Sequence, residues 1–203
     1  MNPQPKNDAA PTNADEPDDE ALMEALQHGD EHALSRLMLR WETAVKMFLL
    51  RLGVPGSDVE DVAQETFMRL YKKRAAYRAG AAFKPWILSI AANLGRDHLR
   101  WRWRRRRREE SLAGRDWANA EFQADARNDV AKADIGRLVR ASVAALPEKL
   151  RRAVVCVDLE DMSHNEAARA MGCTSKATEA RLRRGRELLR QRLAAVLARE
   201  QAD

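Results

Sequence analysis

Between Asp58 and Arg108 the apolar residues recur at three- and four-residue steps, the period of buried helix faces rather than of strands. In DVEDVAQETFMRLYKK, Val59, Val62, Phe67, Leu70 and Tyr71 mark the inward face of one helix, and Asp61, Glu65, Arg69 and Lys72 fall on the other. A turn is expected from Tyr77 to Ala82, where Gly80 is the residue best able to take a positive φ. A second helix opens at Phe83, with Pro85 in its first turn, where a missing N–H costs nothing.

The second helix has an inward stripe of Trp86, Ile87, Ile90, Ala91, Leu94 and His98. Asn93, Arg96, Asp97, Arg100 and Arg104 line another face at helical spacing. That polar strip leads into RWRWRRRRR. Six arginines between Arg102 and Arg108, beside Trp101 and Trp103, combine phosphate-seeking charge with rings able to stack on bases. A solvated basic patch is the plain alternative, and the run alone does not decide between them.

Before this stretch, residues from Glu20 to Gly29 and from Ala33 to Leu52 read as two helices, the second stopped by Gly53 and Pro55. Ser57 or Asp58 is expected to cap the next. Residues 1 to about 18 hold almost nothing apolar to bury and are expected to be disordered. After Arg108 the chain turns acidic and weakly patterned, as a linker would. A new apolar stripe then runs from Val130 through Ile135, Leu138, Val139 and Val143 to Leu146. Pro147 opens a helix expected to span Glu148 to Leu159. Ser163 and Glu166 have capping-box spacing, Gly172 suits a left-handed turn, and Thr174 or Ser175 caps a longer basic helix. A short helix, a glycine turn and a longer basic helix make a helix-turn-helix, whose second helix enters the major groove. A helical hairpin with a charged outer face is the plain alternative.

The net charge of +5 conceals an acidic beginning and basic clusters after Arg96 and Arg169, an asymmetry that points to a nucleic-acid partner. No run of eighteen apolar residues and no signal-like start occurs, so a cytoplasmic protein without membrane insertion is expected. Cys156 and Cys173 lie in no CxxC, and the histidines at 28, 32, 98 and 164 are scattered. No metal site, cofactor or catalytic constellation is expected, and Cys156, within Val154-Val155-Cys156-Val157, reads as core. The chain stops soon after its last arginines, so no appended sensing domain is expected.

The order Asp58, Glu60, Asp61, Gln64, Glu65, Phe67, followed by Phe83, Trp86, Ile87, Ile90, Ala91, Asn93, Asp97, Arg100, resembles region 2 of bacterial sigma factors of the extracytoplasmic-function (ECF) group in the sigma-70 family. Tyr71 stands where a tryptophan is common. The stretch from Leu146 to Leu193 resembles region 4 of the same family through Leu146-Pro147-Glu148, the Ser163, Glu166, Ala168 step and the Arg181, Leu182, Arg184, Arg186 step. Two departures mark it: Lys176-Ala177-Thr178-Glu179-Ala180 replaces a Gly-Thr-Val-Lys-Ser type of run, and Ala167 and Ala170 replace larger aliphatics, so looser packing is expected.

The resemblance implies an all-α protein of two helical domains joined by a linker. Its parts are an acidic tail (1–19), a region-2-like bundle (20–108), a linker (109–134) and a region-4-like helix-turn-helix domain (135–203). It implies that Asp61, Gln64, Glu65 and Arg69 dock on core RNA polymerase. Tyr77, Arg78, Phe83, Lys84, Asn93, Asp97, Arg100 and Arg104 would capture and melt the promoter −10 element, and Lys176, Glu179, Arg181, Arg183, Arg184 and Arg186 would face the −35 element. The carboxylate of Glu179 would either accept from a cytosine N4 amino group or pair with Arg183. Partners implied are core polymerase, promoter DNA and an anti-sigma factor, with catalysis left to the polymerase. A stand-alone helix-turn-helix regulator is the alternative of another class. A basic RNA-binding or membrane-surface protein would leave both patterned domains unexplained.

Overall fold

A computed structural model describes residues 17–112 and 135–200. The expected tail and most of the expected linker lie outside the described residues. Those residues hold eight α-helices and no strand. The N-terminal unit comprises α1 (Asp19–Gln27), α2 (Glu31–Leu52), α3 (Gly56–Lys72) and α4 (Phe83–Leu112). The C-terminal unit comprises α5 (Ile135–Ala144), α6 (Glu148–Val154), a π turn (Val155–Leu159), α7 (His164–Met171) and α8 (Ser175–Glu200).

Local chemistry sets most of the boundaries. Asp18 starts α1 by accepting from the Ala21 amide at 2.7 Å, and Asp30 starts α2 by accepting from His32 at 3.0 Å. Gly53 ends α2 in the left-handed region. The stripes read from the sequence then meet: Leu22, Met23 and Leu26 of α1, Leu37, Val45, Phe48 and Leu49 of α2, Val59, Val62, Phe67 and Leu70 of α3, and Phe83, Ile87 and Ala91 of α4 are all buried. Each large side chain so removed from water contributes about 1.5–3 kcal/mol, offset by the entropy of ordering the chain.

The start of α3 differs from the expectation. Pro55 precedes the first turn, no side chain caps it, and Ser57 and Asp58 already lie inside the helix. Asp58 ties α3 to α4 instead. One carboxylate oxygen accepts from the Ser57 hydroxyl at 2.7 Å, and the other is shared by His98 at 2.7 Å and the Arg102 guanidinium. Those donors, Ser57 foremost and then His98 and Arg102, hold the Asp58 carboxyl down at about 2, against an ordinary 3.8.

In the C-terminal unit Pro147 precedes α6 as expected, but the helix widens after Val154, where the Glu160 amide reaches back to the Val155 carbonyl at 3.1 Å. The capping box forms: the Ser163 amide donates to Glu166 at 2.8 Å, and the Glu166 amide donates to the Ser163 hydroxyl at 3.3 Å. Gly172 takes the left-handed conformation at φ 63°, and Thr174 accepts from the Ala177 amide at 3.2 Å, so Thr174 rather than Ser175 caps α8. The looser packing expected of Ala167 and Ala170 is not found. Both are fully buried, because α7 is enclosed by α6 and α8 on one side and by α4 of the other unit on the other. Small side chains let helices approach closely on two faces. Cys156 is core, as expected, and burial pushes its thiol up to about 12.

Asp58→Asn removes the charge that Arg102 and His98 share and is expected to lower unfolding stability by about 1–2 kcal/mol at neutral pH. The native carboxyl titrates below its unfolded value, so its contribution is full above about pH 4 and fades as pH falls toward 2. Denaturant melts of wild type and variant from pH 7 to pH 2.5 should therefore converge toward acid; a constant gap would refute this role.

Candidate nucleic-acid interface

The connection between α3 and α4 is built largely by α1. After a 3₁₀ turn at Arg74–Ala76, the Gln27 side-chain amide donates to the carbonyls of Arg74 (2.7 Å) and Tyr77 (2.8 Å). Glu20 accepts from the Phe83 amide at 2.8 Å, satisfying one of the free N–H groups that begin α4. Between these anchors the Tyr77 hydroxyl donates to the Ala81 carbonyl, and Gly80 takes φ 73°, the positive value expected for it. The Tyr77 ring meets Trp86 edge-on at 5.1 Å between centroids, and Phe83 meets Trp41 edge-on at 5.5 Å. Trp41 in turn donates to Asp19 at 2.9 Å.

Two of the expected DNA contacts are thereby reassigned. Tyr77 is 4% exposed and Phe83 fully buried, so their rings shape the turn from below and present no face to a ligand. Burial, with the acidic start of α1 nearby, pushes the Tyr77 hydroxyl up to about 12. Arg78, Gly80 and Ala82 remain exposed on the turn, with Lys84 half-buried behind them and directed to Glu160 at 3.6 Å.

Along α4 the polar strip forms as read. Asp97, Arg100 and Arg104 are exposed, and Asn93 is half-buried, spending one N–H on the Ser89 carbonyl at 2.9 Å. Its carbonyl oxygen and second N–H are left for a ligand. Arg96 pairs with Asp97 at 3.1 Å. The arginine run divides: Arg102 is committed to Asp58, whereas Arg105 and Arg107 lie over Trp101 (5.5 Å) and Trp103 (5.1 Å) of the same helix. Both indoles are nearly half exposed.

On α3 the outward strip holds Asp61 and Gln64 exposed, and Glu65 joined to Arg69 at 2.9 Å. Met68, passed over in the sequence because its spacing puts it among charged residues, stands in the middle of this strip at 52% exposure. An exposed large apolar side chain framed by charges is the pattern of an interface anchor, and that framing was its only sequence signal.

On α8, Lys176, Glu179, Arg183 and Arg184 are exposed on one face, while Thr178 and Leu182 are buried behind them. Arg181 is half-buried. Arg186 is turned away from that face by a two-point pair with Asp158 of the π turn, its Nε at 3.1 Å, and so serves packing rather than readout in this arrangement. The pairing alternative for Glu179 is not realised, since among the described residues its carboxylate makes no ion pair with Arg183. The described residues hold no group of three metal-ligating side chains, and none of their helices is long and apolar enough to cross a membrane.

Comparison with known proteins matches two family profiles in the order of the two units: sigma-70 region 2 over residues 37–105 and sigma-70 region 4 over residues 136–189. The chain is 30% identical to an ECF RNA polymerase sigma-E factor of Haemophilus influenzae, over 86% of this chain and 95% of that one. It is also 30% identical to the RNA polymerase sigma factor NccH of Alcaligenes xylosoxydans xylosoxydans, over 84% of this chain and 92% of that one. Among solved structures, CnrH in complex with the cytosolic domain of CnrY is similar at a TM-score of 0.61 and 26% identity, covering 87% of this chain and 97% of the other.

Proposed function

The chain belongs to the sigma-70 family of RNA polymerase sigma factors, in its extracytoplasmic-function group, and from that premise we propose that it is a promoter-specificity subunit acting in the cytoplasm. It binds core RNA polymerase through α3, holds the melted −10 element on the turn and strip of α4, and reads the −35 element with α8. The observation that carries this reading is the pairing of both sigma regions, in order, with exposed polar strips on the three helices that the resemblance assigns to those tasks. The match over residues 37–105 also weighs against a stand-alone regulator, which would need a sensing or dimerising domain there. CnrH is held by the cytosolic domain of a second protein, and a regulator of anti-sigma type is part of the same proposal.

On α3, Asp61, Gln64, Glu65 and Arg69 supply polar contacts around Met68 and are not needed for the core. Asp61→Lys with Glu65→Lys is expected to abolish retention of core polymerase at an unchanged helical circular dichroism spectrum. Undiminished retention would show that docking lies elsewhere.

Melting needs compensation, because each unpaired base costs stacking and pairing of a few kcal/mol. Asn93 offers the polar edge for a flipped base, whereas Arg78, Arg100 and Arg104 hold phosphates. Asn93→Ala is expected to reduce permanganate reactivity of the promoter bubble far more than polymerase binding; equal losses in both would contradict its role.

With no arginine partner, Glu179 presents a bare carboxylate to duplex DNA, a placement best tolerated when it accepts from a cytosine amino group. Glu179→Gln should then change the preference at one −35 position by about 1–3 kcal/mol. Selection from a randomised −35 library with both proteins reads this directly, and identical position-by-position preferences would exclude base readout.

A further inference from the structure

Leu88, Ala92 and Leu99 are buried on α4, yet they stand on a different row from the stripe that fills the N-terminal bundle. Arg96 belongs to the same row. Its Nη1 lies 3.6 Å from where a Cβ on Gly172 would be, at the end of α7. The row is therefore the seat of α7, whose Ala167, Ala168, Ala170 and Met171 are buried in turn. Two further contacts join the units. The guanidinium of Arg151, on α6, is 2% exposed and fits so closely over Gly53 that a Cβ there would meet Nη2 at 2.6 Å. Glu160, only 11% exposed, accepts from Arg51 at 2.6 Å and faces Lys84 at 3.6 Å.

We propose that this row of α4 is a docking surface for the chain's own helix-turn-helix unit, that the free protein rests in this closed form, and that it must open to engage a promoter. The inference rests on the sigma-factor reading for the need to open, and on packing alone for the closed form. The −10 and −35 labels place the two elements about 25 base pairs apart, on the order of 85 Å along straight DNA at 3.4 Å per step. In the closed form the turn preceding α8 touches Arg96, within one helical turn of Asn93 and beside Asp97. Surfaces that abut in this way cannot reach both elements at once.

The seat is also built to release. The Nε atoms of Arg151 and Arg152 are buried without an acceptor among the described residues, and Arg96 faces Arg152 with like charge. Such unsatisfied and opposed groups keep the closed form from becoming permanent. A partner that binds only the open form meets an apparent Kd raised by the inverse of the open fraction.

The test is energy transfer in the full-length protein between dyes at Ala44→Cys on α2 and Gln191→Cys on α8, with Cys173 replaced by serine. Transfer should be high in the free protein. It should fall when Glu160→Lys places like charge against Arg51 and Lys84, with helical content unchanged, and fall again in the wild-type background on adding core polymerase and promoter duplex. The Glu160→Lys protein should bind core polymerase several-fold more tightly. Free wild type as low in transfer as the Glu160→Lys protein would overturn the closed form. Transfer that stays high in a complex with a permanganate-reactive bubble would overturn the need to open. A chain that never binds polymerase would count against the sigma-factor reading while the free-protein result still reports on the seat.

Discussion

The Glu20 carboxylate accepts the first amide of α4, 63 positions later in the chain, and the direction of α4 follows from that bond. α4 is 30 residues long, on the order of 45 Å at 1.5 Å per residue, and it is packed as far as Leu99. A small error in its starting angle would displace the arginine end by several ångströms. Several groups over-determine that angle. Glu20 and Gln27 hold the two ends of the preceding turn, the Trp41, Tyr77, Phe83 and Trp86 rings wedge the first helical turn, and Asp58 clasps His98 and Arg102 further along. The polar strip of Asn93, Asp97, Arg100 and Arg104 is thus carried on a rigid element and not on a loop, as a site that must hold bases in register requires.

Much of this was legible from periodicity. The stripes of α3 and α4, the capping box at Ser163, the left-handed Gly172 and the core position of Cys156 follow from local rules, and local rules act over a few residues. What escaped was long-range. Asp58 has the composition and place of a cap, but its partners are 40 and 44 residues away. Tyr77 and Phe83 sit in a stretch that the family resemblance gives to DNA, and only the position of α1 and Trp41 reveals that they are enclosed. The second apolar row of α4 was hidden by the first, because a helix with Leu88, Ala92 and Leu99 on another row simply reads as more apolar. The alanines of α7 read as loose packing when only one neighbour was counted; with α4 on the far side they are what close approach demands.

Charge is apportioned with equal consequence. Arg102, Arg151, Arg152 and Arg186 are drawn into carboxylates, carbonyls or the interior, so the abundance of arginine overstates the number aimed at a polyanion. Those that stay exposed on a common face, Arg100 and Arg104 on α4 and Arg183 and Arg184 on α8, are the ones that can exchange counterions for phosphates. Buried arginines instead fix how the units pack. One residue type therefore serves two purposes, separated by burial.

Reconstituted initiation tests the central claim most directly. Core polymerase from the source organism, the purified full-length chain and a library of that organism's promoter fragments are combined, and the 5′ ends of the transcripts are mapped. The account predicts discrete start sites that appear only with the chain present and share two upstream elements. Start sites independent of the chain, or a chain that binds duplex fragments by itself without directing polymerase to them, would contradict it.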